Sequence, residues 1–345
     1  MTEERIAQFI LDASAGDFER LALAAFEHQY EAIEPIRRLA DRRGRPPDQI
    51  HSWNEIPAIP TQAFKSLEIN SAPAKEIFRS SGTGGERSEH HHPFPDLYRA
   101  AVDHSFPANC LPGLHEPPML SLIPSREDLP DSSLSFMVDH VMTRFGGADC
   151  RFAIGKKGVE AAAARGWLAS RQRDRAPGLV LATSFALVDL IATLRRLDLR
   201  FRLPTSSVIF ETGGYKGRTR AVLRAELLAD VNEFLGVPPQ FVVREYGMTE
   251  LSSQLYSSVL RGGDPDVFEP PHWVRVRVLD PVSMEPATEG SQGLIAILDL
   301  ANVGSAVHVL TQDLGVQSGS GVRLTGRASG AELRGCSLTV EEMSG

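Results

Sequence analysis

Between positions 3 and 43 the apolar residues recur at three- and four-residue steps: Ile6, Phe9 and Ile10, then Phe18, Leu21, Ala25, Ile33 and Ile36. That period lines one face of successive turns and predicts packed helices, with Asp17 as an N-cap. The period then breaks. In Ile56-Pro57-Ala58-Ile59-Pro60-Thr61-Gln62-Ala63-Phe64-Lys65 two X-Pro bonds enforce extended backbone, which reads either as a plain connector or as a lead-in to the glycine-rich stretch that follows. Beyond Pro118 short apolar runs alternate with helical stretches. Residues 120–124, 179–183, 207–211 and 240–245 are strand-like and end on polar or turn residues, while 158–172, 185–198 and 217–235 carry helical spacing. Strand and helix alternating in this way predict an α/β fold with a mostly parallel sheet flanked by helices. Ligands in such sheets bind beyond the carboxyl ends of the strands.

After residue 265 the pattern changes to close-set strands, 273–279, 293–298, 306–310 and 321–324, separated by Asp280-Pro281 and Glu289-Gly290 turns. This predicts a small antiparallel or barrel-like β-rich subdomain. The expected organisation is a helical segment at 1–55, an α/β nucleotide-binding core at 56–265, and at 266–345 the β-rich subdomain with a short tail carrying Cys336.

Composition narrows the function. The 345 residues are 42% apolar and 23% charged, with a formal charge of −8 that leaves no basic face for nucleic acid. Cys110, Cys150 and Cys336 are too few and too widely spaced for a disulfide framework or a zinc site, which fits a reducing cytoplasm. No apolar run of membrane-spanning length occurs. His90-His91-His92 do not form a metal cluster, because adjacent side chains on a strand or helix diverge and no carboxylates follow at ligand spacing. One of the three is a candidate for lining a pocket beside the neighbouring glycine loop.

That loop, Ser80-Ser81-Gly82-Thr83-Gly84-Gly85-Glu86-Arg87-Ser88, is the first of four chemically loaded stretches. Backbone N–H groups can surround a phosphate only where no Cβ blocks approach, so the composition suits a phosphate cradle, although it also suits a plain surface loop. In Glu211-Thr212-Gly213-Gly214-Tyr215-Lys216-Gly217 two glycines let a planar ring lie against the backbone; a strand-to-helix turn with a solvated lysine is the simpler reading. Glu245-Tyr246-Gly247-Met248-Thr249-Glu250 offers an aromatic to stack on a base, a hydroxyl for phosphate and a carboxylate for Mg²⁺. Asp313 is placed at a strand end to bind a ribose diol, and Arg327 to pair with phosphate or with that carboxylate.

The order of these pieces, Ser-Ser-Gly-Thr-Gly-Gly, Gly-Gly, Tyr-Gly-Met-Thr-Glu, Thr-x-Asp-Leu-Gly, then Gly-Arg, resembles the adenylate-forming superfamily. The Ile-Pro-x-Ile-Pro-Thr-x-x-Phe-Lys lead-in, the Glu-Thr-Gly-Gly-Tyr-Lys turn and the Arg-Gly-Cys-Ser-Leu segment are most similar to its acyl-protein synthetases of the LuxE type. The resemblance implies an adenylate-forming large N-terminal domain whose mobile C-terminal domain is absent or truncated. It also implies attack of a carboxylate, with a fatty acid as the expected one, on ATP to give acyl-AMP and pyrophosphate, with ATP and Mg²⁺ as cofactors.

Carried residue by residue, Ser80, Ser81, Gly82, Thr83, Gly84 and Gly85 hold the phosphates, and Gly213 and Gly214 line the adenine. Tyr246 stacks on the adenine within the segment that includes Gly247 and Met248, Thr249 and Glu250 meet phosphate and Mg²⁺, Asp313 binds the ribose, and Arg327 sits at a hinge. Arg87 stands in for the lysine that relatives carry in the loop, and Lys216 or Lys65 replaces the lysine of the missing domain. Cys336, expected in an exposed glycine-flanked loop near Arg334, accepts the acyl group as a thioester and passes it to an acyl-accepting or reductase partner. The alternatives are an acyl- or aryl-CoA ligase of the phenylacetate-CoA ligase type and a non-catalytic nucleotide-binding or scaffold protein. Phe94, Phe106, Met137 and Phe145 are the expected apolar pocket.

Overall fold

The computed structural model of the chain describes residues 2–81, 87–156, 158–213, 224–328 and 334–344, side chains excepted at 334–338. The chain divides into two compact units, Met1–His104 with Met248–Leu255 and Asp266–Gly345, and Ser105–Gly247 with Tyr256–Pro265.

The second unit carries the parallel sheet. Val242–Tyr246, Val208–Thr212, Leu179–Thr183, Met119–Ser121 and Arg151–Phe152 lie side by side, every pairing parallel. Leu179–Thr183 and Val208–Thr212 are apolar on both faces because helices cover both, as the unbroken runs predict. The helices Ala161–Asp174, Ser184–Arg196 and Arg224–Leu235 correspond to the predicted stretches; the beginning of the last lies outside the described residues. Thr183 caps Ser184–Arg196 by accepting from Ala186 N at 3.1 Å, so the chain turns from strand to helix within one residue.

Two helices are not apparent in the apolar pattern taken above: Ser133–Phe145 of this unit, which Ser132 caps, and Pro95–Cys110, which carries Pro107 inside it and belongs to this unit only from Ser105 on. Phe106 and Met137 are buried, and Phe106 stacks on Phe145 at 6.2 Å and meets Phe210 at 5.9 Å. These side chains fill core space in the second unit, whereas Phe94 belongs to the first.

Trp167 anchors the other face of the sheet. It is fully buried and donates its indole N–H to Asp149 O at 2.9 Å. A Cβ at Gly178 would stand 2.6 Å from the indole, so the strand approaches the ring as closely as a glycine permits. Trp167→Ala leaves both a cavity and an orphaned carbonyl and is expected to lower stability by about 3–5 kcal/mol. Urea unfolding at unchanged m-value measures it; a loss below about 1 kcal/mol would show that the wall of the cavity collapses.

In the first unit, Val274–Leu279, Gln292–Asp299, His308–Ser318, Gly321–Arg327 and Val267–Glu269 form an antiparallel sheet in that order. The proline-rich lead-in is extended as expected at Ile59–Pro60, which adds to it as a parallel strand on Val309 and Leu310, and then turns into the 3-10 helix Thr61–Lys65. The predicted N-terminal helices are Thr2–Leu11, Phe18–Ala32 and Glu34–Arg42, and Asp17 caps the second by accepting from Arg20 N at 2.9 Å.

Cys336 does not lie in a loop. It lies within the helix Arg334–Ser344. Thr339 and Met343, one turn apart and both buried, supply the packed face that makes this segment helical. The arginines of Glu34–Arg42 and its cap complete the far end: Arg42 donates to Glu342 O at 2.6 Å, Arg38 to Ser344 O at 3.1 Å, and Arg43 to Glu342 Oε2 at 2.8 Å. Cations are favoured there because the last carbonyls of a helix lack partners of their own.

Candidate active site

The glycine-rich stretch joins the two strands of a hairpin in the first unit, Glu76–Arg79 and Glu89–His92, in which Phe78 faces His90 and Arg79 faces Glu89. Ser80 N donates to Ser88 O at 3.0 Å and Ser88 N to Ser80 Oγ at 3.0 Å, so the two serines close the base of the loop. Gly82, Thr83, Gly84 and Gly85 lie outside the described residues. Ser81 is exposed at the mouth. The Arg87 guanidinium donates to Ser80 O and, at 3.2 Å, to Arg79 O, bracing the same base. A cavity of about 590 Å³ beside it is lined by Phe64, Lys65, Glu68, Arg79, Arg87 and His91 among others.

Strand period two sorts the three histidines: His90 and His92 are buried, and His91 lies between Glu89 and Glu68 on the cavity side. Burial pushes His90 down to about 4 and His92 well below the usual histidine value. Both therefore remain neutral at ordinary pH.

In the same unit, Met248-Thr249-Glu250 forms a turn closed by Leu251 N donating to Met248 O at 3.2 Å. Ser88, His90 and Asn302 reach it. Ser88 Oγ donates to Glu250 Oε1 at 2.6 Å, His90 Nδ1 lies 2.7 Å from Thr249 O, and Asn302 Nδ2 donates to Glu250 O at 2.9 Å. Behind them Ser252 Oγ donates to Asn302 Oδ1 and lies against His92 Nε2, each at 2.7 Å. Asp299 accepts from Ser252 N at 2.9 Å and Ser253 Oγ at 2.7 Å, and burial raises its carboxyl to about 6.

Asp313 and Arg327 are register partners and form an ion pair at 3.2 Å. The carboxylate is one of the two partners expected for Arg327. Asp313 lies inside the eleven-residue strand His308–Ser318 and not at a strand end, because pairing resumes past a register shift at Leu314/Gly315.

In the second unit, polar groups collect at the carboxyl ends of three adjacent parallel strands. Thr183, Thr212 and Glu245 are in register. The Thr212 hydroxyl donates to Glu245 Oε2, and the Ser184 hydroxyl lies 2.6 Å from Glu211 Oε1 and 2.7 Å from Gly213 O. Gly213 has φ of +74° with open space where a Cβ would stand, a conformation suited to glycine. Tyr246 ends its strand with 7% of its surface exposed, and Gly247 next to it is exposed. Gly214 and Lys216 lie outside the described residues.

Sequence reasoning missed Ser88, His90, Asn302, Ser184 and Glu245 as partners of these motifs. The alternation Ser88-x-His90-x-His92 was the available signal, since period two puts all three on one strand face.

The family model described as acyl-protein synthetase, LuxE, matches residues 172–344. Two proteins named long-chain-fatty-acid–luciferin-component ligase are similar over nearly the whole chain. The one from Vibrio harveyi is 21% identical over 94% of this chain and 87% of its own, and the one from Aliivibrio fischeri 21% identical over 93% and 87%. Among solved structures, a 2-hydroxyisobutyryl-CoA ligase in complex with 2-HIB-AMP and CoA superposes with a TM-score of 0.63 at 14% identity, over 90% of this chain and 74% of that one. This likeness places the chain in the same α/β fold. Because the family model spans half of the sequence, from the helix before the Leu179–Thr183 strand through the Cys336 helix, the chain belongs to the LuxE acyl-protein synthetase family.

Proposed function

We propose that this protein activates a fatty acid with ATP and then carries the acyl group on Cys336. The observation that carries the reading is the family match, whose span includes Tyr246, Thr249, Glu250, Asp313 and Cys336 in one ordered set. In the first step a carboxylate oxygen attacks the α-phosphorus of ATP, the bond to the β-phosphate oxygen breaks, and acyl-AMP and pyrophosphate result. In the second, the Cys336 thiolate attacks the acyl carbon and AMP leaves, giving a thioester.

The site residues keep the roles that the resemblance implies. Ser80, Ser81, Arg87 and the glycines between them bind phosphates; Gly213, Gly214 and Tyr246 receive the adenine; Asp313 binds the ribose; Lys216 or Lys65 supplies the cation of the missing lysine. Glu250 is a hard oxygen donor of the kind Mg²⁺ takes, and with Thr249 it would hold the ion beside the phosphates. Bound there, the ion would supply charge neutralisation to the phosphates. The protein's part is positioning and charge neutralisation at fixed groups.

Cys336 is the thiol that the resemblance offers as the nucleophile. The other two cysteines are poor nucleophiles: burial pushes the Cys110 thiol well above its usual value and raises Cys150. Onward transfer goes to an acyl-accepting or reductase protein, and we assign the reaction to the cytoplasm; no described helix is long and apolar enough to cross a membrane.

Incubation with Mg·ATP, CoA and a panel of carboxylic acids tests the reading. Acid-dependent pyrophosphate release with acyl mass on the protein supports it, acyl-CoA without protein-bound acyl supports a CoA ligase, and ATP binding without pyrophosphate release supports a non-catalytic protein. Glu250→Gln keeps the shape and removes the charge, and is expected to lower pyrophosphate release by about 10²–10³-fold. A change below about threefold in steady-state assays would remove Glu250 from the site.

A further inference from the structure

We infer that Ser88, His90 and Asn302 are positioning residues that hold Thr249-Glu250 in one orientation against the base of the phosphate loop, so that the Glu250 carboxylate meets a metal-bound nucleotide without rearranging. This rests on the proposed role of Glu250.

The hydrogen-bond directions are fixed by what each atom can do. A backbone carbonyl only accepts, so His90 carries its proton on Nδ1 and donates to Thr249 O at 2.7 Å. Asn302 spends both amide protons, on Glu250 O at 2.9 Å and Ala306 O at 2.7 Å, so its Oδ1 is the acceptor for the Ser252 hydroxyl at 2.7 Å. With that proton committed, Ser252 Oγ accepts from His92, whose Nε2 carries the proton. Every donor in the chain has one available direction. Such a network has no alternative arrangement of equal energy and holds its members rigidly.

The tethers come from two distant places in the sequence and meet on two residues. Ser88 immediately precedes the strand that leaves the phosphate loop, His90 belongs to it, and Asn302 lies 52 residues beyond Glu250. Two tethers act on the backbone carbonyls of Thr249 and Glu250 and one on the carboxylate itself, which fixes both the turn and the side-chain direction.

Packing alone does not account for a histidine at position 90. Its ring is fully buried edge-on to Phe64, and its Nε2 meets no protein partner among the described residues. A phenyl ring would fill that space without burying a polar nitrogen. What the imidazole adds is the Nδ1–H on Thr249 O.

The test compares His90→Phe, which keeps the ring and removes the donor, with His90→Asn, whose amide nitrogen stands in the place of Nδ1. Binding of a fluorescent ATP analogue is titrated with and without Mg²⁺, and melting temperature is followed in parallel. The affinity gained on adding Mg²⁺ is expected to fall about tenfold in His90→Phe and to return to within about threefold of the parent in His90→Asn. A folded His90→Phe that keeps the full Mg²⁺-dependent gain overturns the inference, as does a parent protein whose affinity does not respond to Mg²⁺. If His90→Phe fails to fold, Ser88→Ala, which deletes a single hydroxyl, must reduce the gain, and an unchanged gain there overturns it equally. Because the readout is binding, a protein that binds Mg·ATP normally but releases no pyrophosphate with any acid removes the proposed reaction and leaves the positioning result standing.

Discussion

Cys336→Ala is expected to abolish the hydroxylamine-labile acyl mass on the protein while leaving acid-dependent pyrophosphate release within about threefold of the parent in a single turnover. The two steps use different groups. Acyl-AMP formation needs phosphate ligands, a cation and an oriented carboxylate; thioester formation needs a thiolate. Cys336 lies in the helix Arg334–Ser344, and the arginines of Glu34–Arg42 and its cap hold the C-terminal end of that helix. Removing the sulfur leaves those contacts in place, so the helix is expected to stay docked. Intact mass after incubation with Mg·ATP and a fatty acid measures the outcome. Acyl mass that persists in Cys336→Ala, labile to hydroxylamine, would assign the thioester to another cysteine; Cys110 and Cys150, both with raised thiol pKa, would be the ones to replace next.

The second large effect is acid destabilisation. Burial holds His90 and His308 at about 4, below the ordinary histidine value of 6.5. The unfolded chain takes up protons that the folded protein refuses, so the contribution of each histidine is complete above about pH 6.5 and is lost as pH falls towards about 4, roughly 3 kcal/mol apiece. Asp299 works in the opposite direction. Its carboxyl, raised by burial from 3.8 to about 6, binds a proton more tightly in the folded state, so its contribution is complete below 3.8 and is lost as pH rises through about 6. That is again roughly 3 kcal/mol, so two histidines against one aspartate leave a net loss of roughly 3–4 kcal/mol on acidification. His92, also pushed down by burial, adds to the loss. Against a typical total of about 5–15 kcal/mol, this is enough to make the protein markedly acid-sensitive. Urea unfolding across this range should show stability falling steadily below pH 6.5, with a shallower fall in His308→Phe; stability that is flat or rises on acidification would contradict the account.

What could be read from the sequence follows from how local each signal is. Leu179–Thr183 was legible because five consecutive residues are apolar or small and a capping threonine ends them. Pro95–Cys110 was not, although Leu97, Tyr98, Ala101, Val102, Ser105 and Phe106 fall on one face, because Pro107 interrupts the pattern and polar Ser105 is buried within it. Cys336 was assigned to a loop because its flanking glycines outweighed the Thr339 and Met343 pair one turn apart. The motifs around Tyr246 and Asp313 were legible as short strings of reactive residue types. Their partners were not: nothing near Glu250 in the sequence indicates Ser88 or Asn302, which folding brings from 162 and 52 residues away. The ion pair of Arg327 with Asp313 follows from the strand register, which no local signal around either residue carries.

The most direct test of the account is exchange of labelled pyrophosphate into ATP, measured with and without fatty acids of graded chain length. The account predicts exchange that requires both Mg²⁺ and an acid, rises with acyl chain length and persists in Cys336→Ala. Exchange that is absent with every acid, in protein that binds Mg·ATP, would contradict it.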